Sequence, residues 1–338
     1  VRRALITGGA GFIGSHLADR LIADGVEVVV LDDFRTGRRG FLDSIAESPH
    51  FTLVEATLGP TSASDRAKHQ SALATAVEGC DWVFHLQANA DVRFGLTHPD
   101  LDIEQNISTT SQVLQAMRTA GVSNILLSST GSVYGESEVV PTPEDAPFPI
   151  QTSLYGASKV AAEGLIGAYV AASDLTKLRT GVVCRFVSIL GERYTHGHVV
   201  DFYRKLRENP NVLDVLGNGL QQKSYLYVGD CVEAMVTLAR HHEGGAVGTH
   251  VYNLGTDETI VVNDSVRIIT EYLGLSPEIN RGSETRGWPG DNPLIHLDTT
   301  KLLGLGWKPT LSIAEAIERT IAWLDAPENR EFIVSGDH

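Results

Sequence analysis

TGGAGFIG (7–14), set between the apolar run RALIT (3–7) and a helical pattern over 12–24, decides how this chain folds. Glycines at 8, 11 and 14 allow a tight turn, close backbone approach to a pyrophosphate, and close packing of helix on strand. The helix that follows offers unpaired N–H groups and a partial positive charge to an anion. Gly8, Gly11, Phe12, Ile13 and Gly14 are therefore candidate cofactor-binding residues. A glycine pattern alone is weak, and its context strengthens it. Asp32 ends the second apolar run, VEVVVLD (26–32), 18 residues after Gly14, near the interval at which an acid meets the adenosine ribose. Its charge would repel a 2′-phosphate, which favours NAD over NADP. Asp33 joins it as a candidate, although it reads equally as a turn residue. Arg35, Arg38 and Arg39 could hold a phosphate, but a solvated loop is the simpler reading.

Working outward, FTLVEA (51–56), DWVFHL (81–86), NILLSS (124–129) and TGVVCRF (180–186) read as further buried strands. Helical stretches over 12–24, 66–78, 101–120 and 153–172 separate them. Continuous apolar strands alternating with helices predict an α/β fold, a doubly wound parallel sheet of Rossmann type, with a smaller C-terminal α/β lobe. We expect an NAD-binding domain over 1–186, with 225–255 returning to it. Residues 187–224 and 256–325 would form a substrate-binding lobe, and 326–338 a frayed tail. YLYV (225–228) and HVYNLG (250–255) are the stretches expected to rejoin the main sheet, and candidate helices lie at 200–208, 230–241, 263–273 and 312–325.

The 338 residues carry a formal charge of −15, with 42% hydrophobic and 20% charged positions. That balance fits a globular domain and argues against non-specific nucleic-acid binding. Cys80, Cys184 and Cys231 stand far apart in apolar surroundings, without metal or disulfide spacing, which suits a reducing cytosol and a cytoplasmic location. No uninterrupted apolar run approaches membrane-spanning length, so no membrane role is expected. No secretory signal is read in the residues given, though an upstream piece could precede Val1.

The chemistry is sought in SSTGSVYG (128–135) and YGASK (155–159). On a shared helix, Tyr155 and Lys159 lie one turn apart on one face. An ammonium near a phenol stabilises phenolate and is expected to lower the tyrosine pKa from about 10, toward the range of a general base. A lone Y-x-x-x-K is a common coincidence. With the glycine loop, Asp32 and Thr130 beside it, the trio Thr130, Tyr155 and Lys159 becomes a candidate catalytic set.

These three separated motifs resemble the extended short-chain dehydrogenase/reductase family, and within it nucleotide-sugar epimerases of the UDP-glucose 4-epimerase type. The likeness runs from about residue 3 to 325. HLQANADV (85–92) resembles the loop after the fourth strand, which implies Leu86, Gln87 and Ala88 beside NAD. Asn106, RFVSILGER (185–193), GNGLQQKSYLYVGD (217–230), RGWPGD (286–291) and LGWKP (305–309) match later motifs. The resemblance implies Tyr155 as base, Lys159 as its tuner and holder of the nicotinamide ribose, and Thr130 as a hydrogen-bond partner of the sugar O4. It further implies a hydride moving from sugar C4 to a retained NAD and back, through a 4-keto sugar.

Dehydratases of this family resemble T-D-E-V-Y-G after the threonine, and uronic-acid decarboxylases also carry the glutamate. Here Gly131 and Ser132 replace both acids, which favours epimerisation over dehydration, decarboxylation or 4-keto reduction. A non-catalytic NAD-binding protein is the remaining alternative, and the intact trio argues against it. Other departures are Thr57 for an aspartate at adenine, Gln87 for a small residue, Ser188 for an asparagine and Lys223 for an arginine. Asn106, Ser188, Lys223 and Arg286 are the candidate substrate contacts for a nucleoside-diphosphate sugar, UDP foremost. Arg193 and the stretch 193–205, Asp91, Arg93 and Ile295 are weaker candidates with equally good structural readings. His196 and His198 are expected to be exposed loop histidines, with no metal. A homodimer through the helices near 101–120 and 153–172 is expected by the same likeness.

Overall fold

The computed structural model describes residues 1–59, 63–89, 97–287, 294–329 and 332. The apolar runs become strands wherever they alternate faces. β1 (Arg3–Thr7), β2 (Glu27–Asp32), β3 (Phe51–Glu55), β4 (Trp82–His85), β5 (Asn124–Thr130) and β6 (Thr180–Phe186) are joined by β7 (Gly248–Leu254). Together they form one seven-stranded sheet in the order β7-β6-β5-β4-β1-β2-β3. The pairings among β1 to β6 are parallel, with Leu5 opposite Val29 and Ser128 opposite Cys184. This is the doubly wound arrangement, with the strand order reversing at β1 and β4.

Strand side chains alternate, so the sheet has two dry faces. Leu5, Leu31, Val83 and Ile125 pack in one cluster with Leu73, Val113, Leu114, Met117, Ala162 and Ile166. Those partners come from three helices, α2 (Ala63–Val77), α3 (Pro99–Ala120) and α4 (Leu154–Ala171). Ile6, Val28, Val30 and Phe84 alternate with that set and are equally buried, as are Leu17 and Leu21 of α1 (Phe12–Ala23). α3 is not uniform: Ile103–Ser108 is wound as a π-helix. Thr109 and Thr110 turn their hydroxyls back to the carbonyls of Gln105 and Asn106, the second at 2.6 Å. Among the described residues, no helix is long and apolar enough to cross a membrane.

The chain divides into two compact units. The first comprises Val1–Gly135, Pro147–Phe186 and Val232–Tyr252, and the second Glu136–Ala146, Val187–Cys231 and Asn253–His338. The return to the first unit is thus narrower than 225–255. Tyr225–Tyr227 does not rejoin the large sheet, because its backbone finds parallel partners on Ser188–Leu190. The second unit also takes in 136–146, where Thr142 bridges to Leu297. Its small sheets join Gln222–Lys223 to Ile260–Val261 and Leu294–Ile295, and Val212–Val215 to Glu278–Arg281. Its closing helix, Ile313–Asp325, starts in a capping box between Ser312 and Glu315.

Candidate active site

The glycine loop is built by exclusion of side chains. Gly8 has φ +71°, and a Cβ there would lie 2.8 Å from the backbone nitrogen of Gln87. A Cβ on Gly14 would come within 2.3 Å of the Gly8 carbonyl oxygen. Gly11 differs: an added Cβ meets only the Gly8 carbonyl oxygen, at 3.2 Å. Its other side is open, where a ligand backbone or phosphate can approach. No side chain caps α1 at Gly11, and its first turn, with Phe12 and Ile13, holds no acidic residue. Its terminal N–H groups have no intrahelical partners and favour an anion. These features fit a dinucleotide.

Asp32 stands at the end of β2, 6% exposed. Its carboxylate accepts from the Ala10 N–H at 2.9 Å and the Phe34 N–H at 2.8 Å. It therefore fastens the glycine loop to the turn after β2, and still has lone pairs for ribose hydroxyls. Burial raises its pKa against those two hydrogen bonds. Asp33 accepts from the Arg35 N–H at 3.1 Å and faces the Arg35 guanidinium at 3.5 Å, the position of a turn residue. Arg39 pairs with Glu55, so Arg35 and Arg39 both have carboxylate partners.

Leu86, Gln87 and Ala88 follow β4 and run beside the glycine loop, the Leu86 N–H donating to the Thr7 carbonyl at 3.1 Å. Behind them His85 is buried between Thr7 Oγ1, 2.7 Å from Nδ1, and Thr110 Oγ1, 3.0 Å from Nε2. The Thr110 hydrogen goes to the Asn106 carbonyl, so Nε2 donates and Nδ1 accepts from Thr7. Burial and the charge of Lys159 push the His85 pKa down to about 3.

Thr130, Tyr155 and Lys159 lie together, as their spacing implies. Thr130 ends β5 and caps a short 3-10 turn, Gly131–Tyr134, by accepting from the Ser132 N–H at 3.1 Å. Its hydroxyl donates to Ser132 Oγ at 3.1 Å, and it stands near enough to the Tyr155 phenol to oppose the effect of burial there. α4 begins at Leu154, with Ser153 Oγ accepting from the Gly156 N–H, and so carries Tyr155 in its first turn. Lys159, one turn on, is 3% exposed, and its Nζ donates to the Ser128 carbonyl at 2.8 Å. Nζ sits 5.9 Å from the centre of the Tyr155 ring.

The electrostatics differ from the expectation for the phenol. Burial pushes Tyr155 up to about 12, against the influence of the Thr130 hydroxyl, and the nearby charge of Asp102 adds to the rise. Burial also pulls Lys159 down to about 8, against the charges of Glu163 and Asp102. The ammonium is directed at a carbonyl, and desolvation outweighs its attraction for a phenolate.

Asn106, expected at the substrate, is 1% exposed. Its Oδ1 accepts from the Asn89 N–H at 2.8 Å, and its Nδ2 donates to Ser158 Oγ at 2.8 Å and Asp102 Oδ1 at 3.3 Å. Both ends of the amide are engaged, so Asn106 braces the π-helical turn against α4. Three groups that sequence reading missed surround the trio. Glu163 and Arg185 form a buried pair at 2.7 Å. Ser129 donates to Glu163, and Arg185 donates to the Tyr134 oxygen at 2.7 Å. Asp102 is the third. The only sequence signal was spacing: Glu163 is four residues after Lys159, and Asp102 four before Asn106.

The other substrate candidates belong to the second unit. Ser188 opens the strand Ser188–Leu190, and Lys223 lies in Gln222–Lys223 beside Ile295. Arg286 is paired with Glu136 at 2.5 Å. His196 is exposed, but His198 is not a loop histidine. It starts the helix His198–Glu208, with Nδ1 3.2 Å from the Tyr225 hydroxyl and its ring packed on Tyr225 and Phe202. Burial there, with the charge of Lys223, pushes its pKa down to about 3. Asp91, Arg93, residues 288–291 of RGWPGD and most of the tail beyond 329 lie outside the described residues.

The chain is similar to known proteins in sequence and in fold. The chain is 32% identical over 330 residues to the UDP-glucose 4-epimerase of Mycolicibacterium smegmatis, covering 94% of this chain and 97% of that one. It superposes with a TM-score of 0.82 on the crystal structure of a UDP-galactose 4-epimerase, at 37% identity, covering 95% of this chain and 98% of the other. It is also 29% identical to the UDP-glucuronic acid decarboxylase 1 of Xenopus tropicalis, over 98% of this chain and 75% of that one. The model of the NAD dependent epimerase/dehydratase family matches residues 4–255. On that match and this geometry, the chain belongs to the NAD dependent epimerase/dehydratase family.

Proposed function

We propose that this protein is a nucleoside-diphosphate-sugar 4-epimerase, with NAD retained and a UDP-sugar as substrate. The observation that carries the reading is the turn after Thr130. Gly131 and Ser132 stand where an acid–base pair would be needed for dehydration, and Ser132 folds back onto Thr130 through its N–H and Oγ, each at 3.1 Å. Epimerisation needs no such pair. NAD, when bound, supplies a hydride acceptor and donor for the sugar C4. Gly8, Gly11 and Gly14 with the first turn of α1 would hold its pyrophosphate, and Asp32 its adenosine ribose. Lys159 would hold the nicotinamide ribose with the two ammonium hydrogens that the Ser128 carbonyl leaves over.

Thr130 would orient the sugar O4 hydroxyl, and Tyr155, as the phenolate, would take the proton from that oxygen while bound NAD supplies the redox chemistry at C4. Once the configuration at C4 is inverted, Tyr155 would return the proton to O4. A phenol held near 12 gives up its own proton reluctantly, so a positively charged ring beside it is what would bring it into range. Ser188, Lys223 and Arg286 are the residues proposed to meet the nucleoside diphosphate. The protein is proposed to work as a cytoplasmic homodimer. Exposed Ile103 on α3 and Leu154 on α4 support a pairing through those helices.

The test is incubation of the purified protein, without added NAD, with UDP-glucose, UDP-galactose, their N-acetyl and uronic forms, and dTDP-, CDP- and GDP-sugars. A product of unchanged mass and inverted C4 supports the assignment. Loss of water or carbon dioxide would assign the protein to dehydration or decarboxylation instead. Sedimentation velocity decides the dimer.

A further inference from the structure

Arg185 is buried on β6, in register with Ser129 of β5. Its guanidinium joins three segments of the first unit. Towards α4, Nε and Nη2 donate to the two carboxylate oxygens of Glu163, at 3.1 and 2.7 Å. Towards the 3-10 turn after β5, Nη1 donates to the Tyr134 hydroxyl at 2.7 Å. Its central carbon lies 4.8 Å from the centre of the Tyr134 ring, and 4.7 Å from that of Phe148 in the loop before α4. Glu163 also accepts from Ser129, the residue before Thr130. A planar fork engaged in this way fixes direction as well as distance.

Burying a charged pair is a poor route to stability, since apolar side chains of similar volume often serve as well or better. What apolar packing does not supply is direction. Direction matters at Tyr134 because it closes the turn Gly131–Tyr134. Within that turn the Ser132 N–H donates to Thr130 Oγ1, and the Thr130 hydroxyl donates to Ser132 Oγ, each at 3.1 Å. The turn therefore sets the Thr130 hydroxyl. Gln151 grips it from the loop before α4, its Nε2 donating to the Val133 carbonyl at 2.8 Å. A Cβ on Gly156, next to Tyr155, would stand 3.3 Å from the Ser132 carbonyl oxygen, so the turn also rests on the start of α4. We propose that Arg185 and Tyr134 are positioning residues for the reaction. The chain Glu163–Arg185–Tyr134 ties the turn that orients Thr130 to the helix that carries Tyr155 and Lys159. Glu163 lies one helical turn beyond Lys159, so the same chain holds the rotation of α4 against β5. This rests on the reading of Thr130 and Tyr155 as the residues that meet the sugar O4.

The experiment is amide hydrogen exchange in the full chain as purified, without substrate, comparing wild type with Tyr134→Phe. The substitution removes an acceptor of Arg185 and keeps the ring. The readouts are the Ser132 N–H, bonded to Thr130 Oγ1, and the Gly135 N–H, bonded to the Ser132 carbonyl at 3.1 Å. Both should exchange about tenfold faster or more, the worth of a hydrogen bond to a charged group, while the amides of β5 and β6 keep their rates. Unchanged turn rates in a folded variant overturn the proposal, and so does an equal acceleration of turn and sheet. Should Tyr134→Phe not fold, Arg185→Lys decides by the same two amides, because it keeps a cation beside Glu163 without the planar fork. On the sugar nucleotide that the wild type epimerises, Tyr134→Phe should lower kcat about tenfold with KM held. Full kcat beside a loosened turn overturns the positioning role. A wild type that epimerises no sugar sinks the functional reading, while the exchange rates still decide whether Arg185 holds the turn.

Discussion

Lys159 and Tyr155 lie one turn apart on α4, yet the lysine ammonium points to the Ser128 carbonyl at 2.8 Å and stands 5.9 Å from the phenol ring centre. The lysine is thereby anchored to β5, and the phenol lies near Thr130. The proposed base and the lysine proposed to tune it thus lie against different residues of the strand end. Tyr155→Phe removes the hydroxyl and little else. Turnover should fall by about three orders of magnitude or more, the loss of a base that also directs the substrate, while the cofactor stays bound. Rates on the active sugar nucleotide, with the absorbance of released cofactor, check both halves.

The glycine loop separates packing from ligand approach. Gly14→Ala places a methyl 2.3 Å from the Gly8 carbonyl oxygen, so the loop itself must shift. Stability and NAD affinity should drop together. Gly11→Ala meets only one carbonyl at 3.2 Å. That variant should melt within a few degrees of wild type, yet bind NAD at least tenfold more weakly. Calorimetric titration beside thermal melts distinguishes the two outcomes.

Glu163 and Arg185 form a buried pair, with side chains 8% and 4% exposed. Removing one partner leaves the other charge buried and uncompensated, a cost of about 3–5 kcal/mol. Glu163→Ala should reach that range in denaturant unfolding. Replacing both by apolar residues of similar volume, Glu163→Met with Arg185→Met, should recover most of it.

His85 gives the protein an acid limit. In the folded chain its pKa is near 3, while unfolded histidine titrates near ~6.5. The unfolded state therefore binds a proton that the native state refuses. The contribution of His85 is fully present above about 6.5 and declines as the pH falls from there toward 3, by up to about 1.4 kcal/mol per unit. Unfolding free energies of wild type between pH 7 and 4.5 should show this slope in excess of His85→Asn. Parallel pH profiles for the two proteins would remove His85 from the account.

The amino-acid sequence by itself determined the wound sheet and the place of the trio. Both rest on periodicities that survive without tertiary context: alternating apolar strands, a glycine turn that only missing side chains allow, and a four-residue helical interval. Asp32 was legible for the same reason, as the last residue of a strand at a fixed distance from that turn. Tertiary structure decided what local pattern cannot carry. Tyr225–Tyr227 found its partners on Ser188–Leu190, because a short strand pairs with whichever free edge the fold presents. Asn106 turned inward once Asn89, Ser158 and Asp102 surrounded its amide. The phenol rose where the spacing promised a fall, since desolvation is set by everything packed around a group and an ammonium acts where it is aimed. The spacing in the sequence put the proposed reacting groups side by side, and burial set their electrostatics.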